Sequence, residues 1–219
     1  MKPLIIAIDG PSGAGKGTVS RTLSLALGYR HVDTGAMYRA VGWMANHQGM
    51  ALDDEAAVAA LARRATLIVE GGVVSIDGHD VTRAIRTPEI DKVASSVARL
   101  PTVREVLVAR QREMGAAGGV VMEGRDIGTV VFPNADVKVY LDASAEERAR
   151  RRATDPAHTG SQAGQAAVAE AIQARDKSDT TRAVSPLTLA PDAIHIDTTG
   201  MPIDQVVARV MAIVEEKSR

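Results

Sequence analysis

The sequence predicts an α/β fold: a doubly wound parallel sheet of about five strands, with a small inserted antiparallel sheet and a short lid. Short buried apolar runs alternate with longer amphipathic stretches along most of the chain. This alternation breaks between residues 66 and 82, where Gly71-Gly72 and Asp77-Gly78 separate short β-type segments. Residues 154–163 are rich in Gly, Ser, Thr and Pro, which predicts a mobile loop.

Strands and helices follow one another in the order that a doubly wound sheet requires. The apolar runs predict strands at residues 4–8, 29–32, 120–122, 137–141 and 193–196. Helical periodicity and caps predict helices at residues 15–27, 36–46, 53–65, 88–98, 101–114 and 202–216. Ligands of such folds bind at the C-terminal ends of the strands, so functional residues are expected there.

Composition limits the classes of function. The 219 residues are 45% hydrophobic, which suits one domain over residues 1–219. With 2% aromatic residues and a net charge of -1, the chain does not suit nucleic-acid binding. The absence of cysteine and of any membrane-length apolar run predicts a cytoplasmic protein without a membrane partner. No apolar patch stands out, which favours a monomer that binds small molecules.

The first functional motif follows the first predicted strand and opens a helix. Glycines there let backbone N–H groups surround a phosphate, and the lysine reaches its outer oxygens. Most P-loops place Ser or Thr directly after the lysine as a magnesium ligand, but glycine stands there. Thr18 is therefore the candidate ligand, unless water mediates the contact. The motif comprises Gly10, Pro11, Ser12, Gly13, Ala14, Gly15, Lys16, Gly17 and Thr18.

A second group of charged residues follows the second and third strands. Arg39 lies one helical turn after the cap at Asp33, and Arg125 follows the strand at 120–122. Two converging arginines suit a doubly charged phosphate, with ordinary surface salt bridges as the alternative. Asp126 can accept a hydrogen bond from the amino group of cytosine. It could equally be a helix N-cap or a residue beside a magnesium ligand.

The helix that begins at Ser144 predicts the lid. Glu146 with Arg150, and Glu147 with Arg151, have the spacing of helical ion pairs. Arg148 and Arg152 are also four residues apart and should repel each other unless an anion lies between them. We therefore expect these two arginines to contact the transferred phosphoryl group.

Two other patterns receive no functional role. The five histidines show no metal-ligand spacing. Residues 197–200 (Asp-Thr-Thr-Gly) imitate a GTPase switch, but they follow the last strand and no guanine-reading motif comes after them. A turn is expected there.

Four blocks of sequence resemble one family. Residues 33–39, 95–104, 123–128 and 175–182 occur in order and are similar to bacterial cytidylate kinases, which are P-loop nucleoside monophosphate kinases. The Gly17-Thr18 variant of the P-loop is similar too. The resemblance implies transfer of the γ-phosphoryl group of ATP to CMP or dCMP, with Mg²⁺. It also implies a monophosphate-binding insertion at residues 35–100, which contains the small sheet, and a lid region at residues 148–175.

The resemblance also assigns acceptor-side roles. Thr34 and Arg39 would contact the acceptor nucleotide. Ser95, Arg104 and Asp126 would read its base. Residues 175–182 form a charge run that could simply be solvated and self-paired; by resemblance, Arg175 and Arg182 clamp phosphate and Asp179 binds sugar hydroxyls.

These residues predict a mechanism without a general base. A nucleotide phosphate is largely dianionic at neutral pH, since its second pKa is about 6. Catalysis then depends on bringing two anions together, for which Lys16, Arg125, Arg148 and Arg152 supply positive charge. The alternatives are a kinase for a metabolite hydroxyl, which would need a base such as Asp33, and a non-enzymatic nucleotide-binding module.

Overall fold

A computed structural model describes residues 3–155 and 164–218 of the chain. The strands in these ranges are β1 (Ile5–Asp9), β2 (Arg30–Asp33), β3 (Leu67–Glu70), β4 (Val73–Ile76), β5 (His79–Asp80), β6 (Val120–Gly124), β7 (Val137–Asp142) and β8 (Ile194–Asp197). The main sheet has the order β2-β6-β1-β7-β8, and every neighbouring pair is parallel. The predicted five-stranded parallel sheet is confirmed.

Helices cover the sheet and form the insertion. They are α1 (Lys16–Leu27), α2 (Thr34–His47), α3 (Glu55–Arg64), α4 (Pro88–Val97), α5 (Pro101–Gly115), α6 (Ala145–Ala153), α7 (Gln165–Thr181) and α8 (Ile203–Lys217). Asp33 caps α2, since its Oδ1 accepts from the Ala36 N–H at 3.0 Å. A π-helical turn at Ile127–Val131 was not predicted, because its residues have no distinct sequence pattern.

The small sheet β3-β4-β5 is antiparallel, as predicted. Gly71 and Gly72 join β3 to β4 with φ of 59° and 85°. Two successive positive φ values are those of a two-residue hairpin turn, and glycine adopts them without strain. Residues of this sheet pack with α2, α3, α4 and α5 in a hydrophobic cluster of their own. A second cluster lies between the main sheet, α1 and α8.

Two predictions concern segments between these elements. Most of the predicted loop at 154–163 lies outside the described residues, which resume at 164. Residues 198–200 form the turn expected after β8. None of the helices in the described ranges is both long and apolar enough to span a bilayer.

Candidate active site

A cavity of ≈ 630 Å³ opens at the C-terminal ends of the parallel strands, a size that suits a small-molecule ligand. Parallel register aligns Asp9 of β1 with Gly124 of β6 and Tyr140 of β7, so the loops after these strands meet at one edge. Three of the predicted site residues do not line this cavity: Gly10, Pro11 and Arg148. The other predicted site residues line it: Ser12, Gly13, Ala14, Gly15, Lys16, Gly17, Thr18, Thr34, Arg39, Ser95, Arg104, Arg125, Asp126, Arg152, Arg175, Asp179 and Arg182.

The P-loop owes its shape to glycine at two points. Gly10 has φ of 145°, and a Cβ there would lie 1.9 Å from the Leu141 carbonyl oxygen, so no other residue fits without displacing the strand. Gly15 enters α1 with φ of 89°. Lys16 is buried, and its Nζ donates to the Pro11 carbonyl oxygen at 2.7 Å. Burial lowers the Lys16 pKa well below its ordinary value, and Arg125 lowers it further.

Glu123, at the end of β6, is a cavity residue that sequence reasoning missed. A Cβ added to Gly17 would lie 3.4 Å from Oε1 of Glu123. The Glu123 carboxylate therefore faces the position where most P-loops carry a hydroxyl. His31 Nε2 lies 2.9 Å from the same Oε1. Thr34 Oγ1 donates to the Glu123 carbonyl oxygen at 2.7 Å. The missed signal was a carboxylate at the end of a buried strand.

Arg39 faces the cavity from α2, as the sequence predicts. Its Nε donates to Asp91 Oδ1 at 3.0 Å, and its Nη1 lies 3.9 Å from Asp33 Oδ2. Arg86 Nη2 donates to the same Asp33 oxygen at 3.0 Å. Burial alone would raise the pKa of Asp33, but Arg39 and Arg86 hold it well below its ordinary value. Asp91 and Arg86 were not predicted.

Arg104 and Asp126, which were both expected to contact the base, are hydrogen-bonded to each other. Both side chains are almost fully buried. The Arg104 guanidinium also lies 5.5 Å from the centre of the Tyr38 ring. Asp126 occupies the N-cap position of the π-helical turn, but its side chain makes no capping hydrogen bond, so the N-cap alternative holds for its position and not for its carboxylate.

The charge run at residues 175–182 pairs mainly with other segments, although Arg182 Nη1 also lies 3.8 Å from Asp179 Oδ1 within the run. Arg125 Nε donates to Asp179 at 2.8 Å, Arg148 Nη1 to Asp176 at 2.6 Å, and Arg175 Nη1 to Asp91 at 2.9 Å. Each of these pairs joins α7 to a different segment. Burial lowers the Arg175 pKa to about 10, against the opposing effect of Asp91. The solvated-run alternative is therefore wrong.

Several buried donors around this cavity have no hydrogen-bond partner among the described residues. They are Arg104 Nε, Arg175 Nε and Arg182 Nη2. Buried polar groups in native proteins are nearly always bonded, so unsatisfied donors beside a cavity indicate a ligand with acceptor oxygens or nitrogens. Ser95 Oγ, 3.3 Å from Ser178 Oγ, adds a hydroxyl to the same wall.

The premise that an anion must separate Arg148 from Arg152 is wrong. Arg148 donates to the carbonyl oxygens of Ala143 and Ser12 as well as to Asp176. Arg152 Nη2 lies 3.2 Å from Asp91 and 3.4 Å from Ser12 Oγ. Carboxylates on other helices therefore compensate both charges, and spacing along one helix could not show them.

Of the two ion pairs expected in α6, Glu147 with Arg151 is confirmed, whereas Glu146 with Arg150 is wrong. Glu147, not Glu146, is the partner of Arg150, and it binds Arg151 as well. Arg151 further donates to Thr198 Oγ1 at 2.9 Å and to the Thr198 carbonyl oxygen at 2.7 Å. This contact ties α6 to the loop after β8. That loop and the first turn of α8 contribute an apolar wall to the cavity: Met201, Pro202, Ile203 and Val206.

Comparison with known proteins identifies the family. A family model described as cytidylate kinase matches residues 6–216. The chain belongs to the cytidylate kinase family. It is 48% identical to the cytidylate kinase of Desulfitobacterium hafniense, over 99% of this chain and 94% of that one. It is 50% identical to the cytidylate kinase of Pelotomaculum thermopropionicum, over 98% and 97%.

Solved structures support the fold. A gluconokinase from Sinorhizobium meliloti superposes with a TM-score of 0.51 at 14% identity, covering 100% of this chain and 99% of the other. An uncharacterized protein from Eubacterium ventriosum gives 0.55 at 13% identity, covering 98% and 99%. At such identities the likeness concerns the fold alone, and it is the P-loop kinase fold predicted above.

Proposed function

We propose that the two walls of the cavity hold the two substrates of a phosphoryl transfer. Family membership establishes the reaction class: the protein is a nucleoside monophosphate kinase, which transfers the γ-phosphoryl group of ATP to CMP or dCMP. The observation that carries the assignment of residues is the meeting of Lys16 with a ring of arginines at one cavity. The P-loop, residues 10–18, would hold the ATP phosphates, and the wall opposite would hold the monophosphate.

The acceptor phosphate would be held by Arg39, Arg125 and Arg175. Guanidinium groups bind phosphate bidentately, and burial strengthens such contacts. A hydroxyl-phosphorylating kinase is disfavoured, because the pKa of Asp33 is held below its ordinary value and so weak a base removes protons poorly. The monophosphate needs no base, since it is already ionised.

The base would lie near Arg104, Asp126 and Ser95. Asp126 accepts from the amino group of cytosine, whereas the carbonyl of uracil would meet the carboxylate with repulsion. The unpaired Nε of Arg104 is available to the acceptor edge of the ring. Thr34 would contact the acceptor nucleotide, and Asp179 and Arg182 would complete the site at the sugar and phosphate.

Magnesium fits the P-loop side with few protein ligands. No group of three potential ligand residues (His, Cys, Asp or Glu) comes together among the residues described. Magnesium keeps several waters and binds phosphates with one or two carboxylates, so such a cluster is not needed. Thr18 and the Glu123 carboxylate, which faces Gly17, are the oxygen donors that would hold it. The ion would neutralise charge between the ATP phosphates.

Lid residues and the loop after β8 complete the donor side. Arg148 and Arg152 would stabilise charge on the transferred phosphoryl group, directly or through the Ser12 contacts that both make. The apolar wall at residues 201–206 offers a surface for the adenine ring, with Arg151 at its edge. Residues 35–100 would form the monophosphate-binding insertion and 148–175 the lid, within a single cytoplasmic, monomeric domain that binds no nucleic acid.

A substrate panel tests this proposal. Purified protein is assayed with ATP and Mg²⁺ against CMP, dCMP, UMP, AMP and GMP, and against a sugar alcohol as a hydroxyl acceptor. We expect CMP and dCMP to give the highest kcat/KM. Faster turnover of a purine monophosphate or of the hydroxyl acceptor would contradict the assignment of Arg104 and Asp126 to a cytosine base.

A further inference from the structure

Asp91 is a point of convergence for the arginines of the cavity. Its Oδ1 accepts from Arg39 Nε at 3.0 Å and from Arg175 Nη1 at 2.9 Å, and its Oδ2 lies 3.2 Å from Arg152 Nη2. The three arginines come from α2, α7 and α6, and Asp91 comes from α4. One carboxylate therefore joins the insertion to the lid region.

The arginines would repel one another without it. All three line the same cavity and are largely buried. Like charges act on two of them: Arg39 lowers the pKa of both Arg152 and Arg175, although burial is the larger cause in both cases. For Asp91, burial alone would raise the pKa, but Arg39, Arg175 and Arg152 hold it well below its ordinary value.

The arrangement has the chemistry of a phosphate site. Proteins bind phosphate by directing several guanidinium groups at the oxygens of one anion. Here the anion is the side chain of Asp91. We propose that Asp91 is a positioning residue, an internal counter-ion that assembles Arg39, Arg152 and Arg175 before nucleotide binds. Substrate phosphate then replaces Asp91 as the partner of these arginines. This inference rests on the assignment of these arginines to phosphate under the proposed function.

Replacing Asp91 by Asn tests this directly, since the amide has the same shape without the charge. Two effects should appear together. The variant should melt at a lower temperature than wild type in the absence of anions, because the arginines repel. It should also bind anions more tightly, because the competing carboxylate charge is gone.

The measurement is the melting temperature against pyrophosphate concentration, in EDTA and at an ionic strength held constant with KCl, which keeps general screening the same. Asp192→Asn is the matched control. Asp192 also pairs with a cation, Lys138 Nζ at 2.8 Å, but it lies outside the cavity lining. For Asp91→Asn we expect a larger pyrophosphate-induced rise and a half-saturating concentration lower by at least about threefold. Asp192→Asn should respond as wild type does.

A steady-state measurement separates positioning from a general loss of structure. Asp91→Asn should lower the KM for CMP, because the competing carboxylate charge is gone. Its kcat should fall, because less ordered arginines stabilise the transition state less well. A raised KM for CMP would overturn the inference. It would also be overturned if the melting temperatures of wild type and Asp91→Asn rose in parallel with pyrophosphate concentration. If Asp91→Asn is isolated unfolded, pyrophosphate should restore its far-UV circular dichroism, and failure to do so also overturns the inference.

The controls separate this failure from failure of the proposed function. Wild-type protein that phosphorylates CMP while its pyrophosphate response equals that of Asp91→Asn overturns the role of Asp91 alone. Wild-type protein that shows neither turnover of CMP nor any response to pyrophosphate overturns both.

Discussion

The two walls of the cavity are built in opposite ways. The proposed donor wall is centred on a continuous segment, residues 10–18, whose form depends on backbone conformation and on one lysine. The proposed acceptor wall takes side chains from helices and loops between residues 34 and 182, held by ion pairs among themselves. A phosphate chain can be bound by backbone N–H groups from one loop. A particular base and a second phosphate need side chains from several directions.

The largest effect is expected at the donor wall. Lys16→Ala should lower kcat by at least about a hundredfold, because it removes the positive charge that faces the transferred group. The fold should persist, since burial opposes the charge of Lys16. Steady-state kinetics with CMP, and circular dichroism to verify folding, are the measurements. Near-normal turnover by a folded variant would refute the role of the P-loop lysine.

The acceptor wall is tested by base selectivity. Wild type should favour CMP over UMP in kcat/KM by at least about a hundredfold, because the carbonyl of uracil would face the Asp126 carboxylate where cytosine offers an amino donor. Asp126→Asn should narrow that gap, since the amide can turn a donor toward the uracil carbonyl. The loss should fall mainly on CMP.

If Asp126→Asn lowers kcat/KM equally for CMP and UMP, Asp126 does not read the base. Such equal losses would mark the residue as a support for Arg104, its hydrogen-bond partner, and move base reading to Ser95 and Arg104. Asp192→Asn, at a pair remote from the base, is the matched control and should leave the ratio unchanged.

Asp9 connects the two walls, and its stability effect depends on pH. Its carboxylate accepts from the N–H groups of Ile127 and Gly128 at 2.8 and 2.7 Å, one residue before the P-loop begins. Burial raises its pKa from 3.8 to about 6. The folded state therefore holds the proton more tightly than the unfolded chain, and the resulting stability is present below pH 3.8 and lost as pH rises through 6.

This sign gives a measurable difference between wild type and Asp9→Asn. Relative to the variant, wild type should lose about 2 kcal/mol in free energy of unfolding between pH 4 and pH 7. Urea denaturation at several pH values measures it. Hydrogen bonds lost in the variant lower its free energy of unfolding equally at every pH. The test is therefore how the difference in free energy between wild type and variant changes with pH. A difference independent of pH would show that the pKa of Asp9 is not raised.

The smallest effect is expected for Arg151, a residue that was not predicted to lie in either wall. Arg151→Ala should raise the KM for ATP several-fold and leave the KM for CMP nearly unchanged, because it frees the loop at Thr198 from α6. The variant also loses the partly buried ion pair with Glu147, which contributes about 1 kcal/mol. Arg21→Ala, an exposed arginine of α1, is the control. A matching rise in the KM for CMP would place Arg151 at the acceptor wall instead.

The resemblance in sequence predicted residues for both proposed walls, and most of them line one cavity, but the detail it gave was unequal. For the donor wall, the glycine spacing and the strand before it were sufficient, since a P-loop depends on neighbouring residues. For the acceptor wall, residue types and numbers were found, while their partners were not. Arg104 and Asp126 were expected as separate readers of a base, yet they bind each other. Arg148 and Arg152 were expected to need an anion, yet each has a carboxylate.

The sequence by itself determined the alternation of strands and helices, the place of the inserted sheet and the P-loop, because these follow from local periodicity, turn residues and caps. Only the tertiary structure decided that Asp91 receives arginines 52, 61 and 84 residues away, or that Glu123 faces Gly17. Spacing along the chain carries no information about such pairs. They form because the parallel sheet brings the ends of distant strands, and the helices that follow them, to one edge.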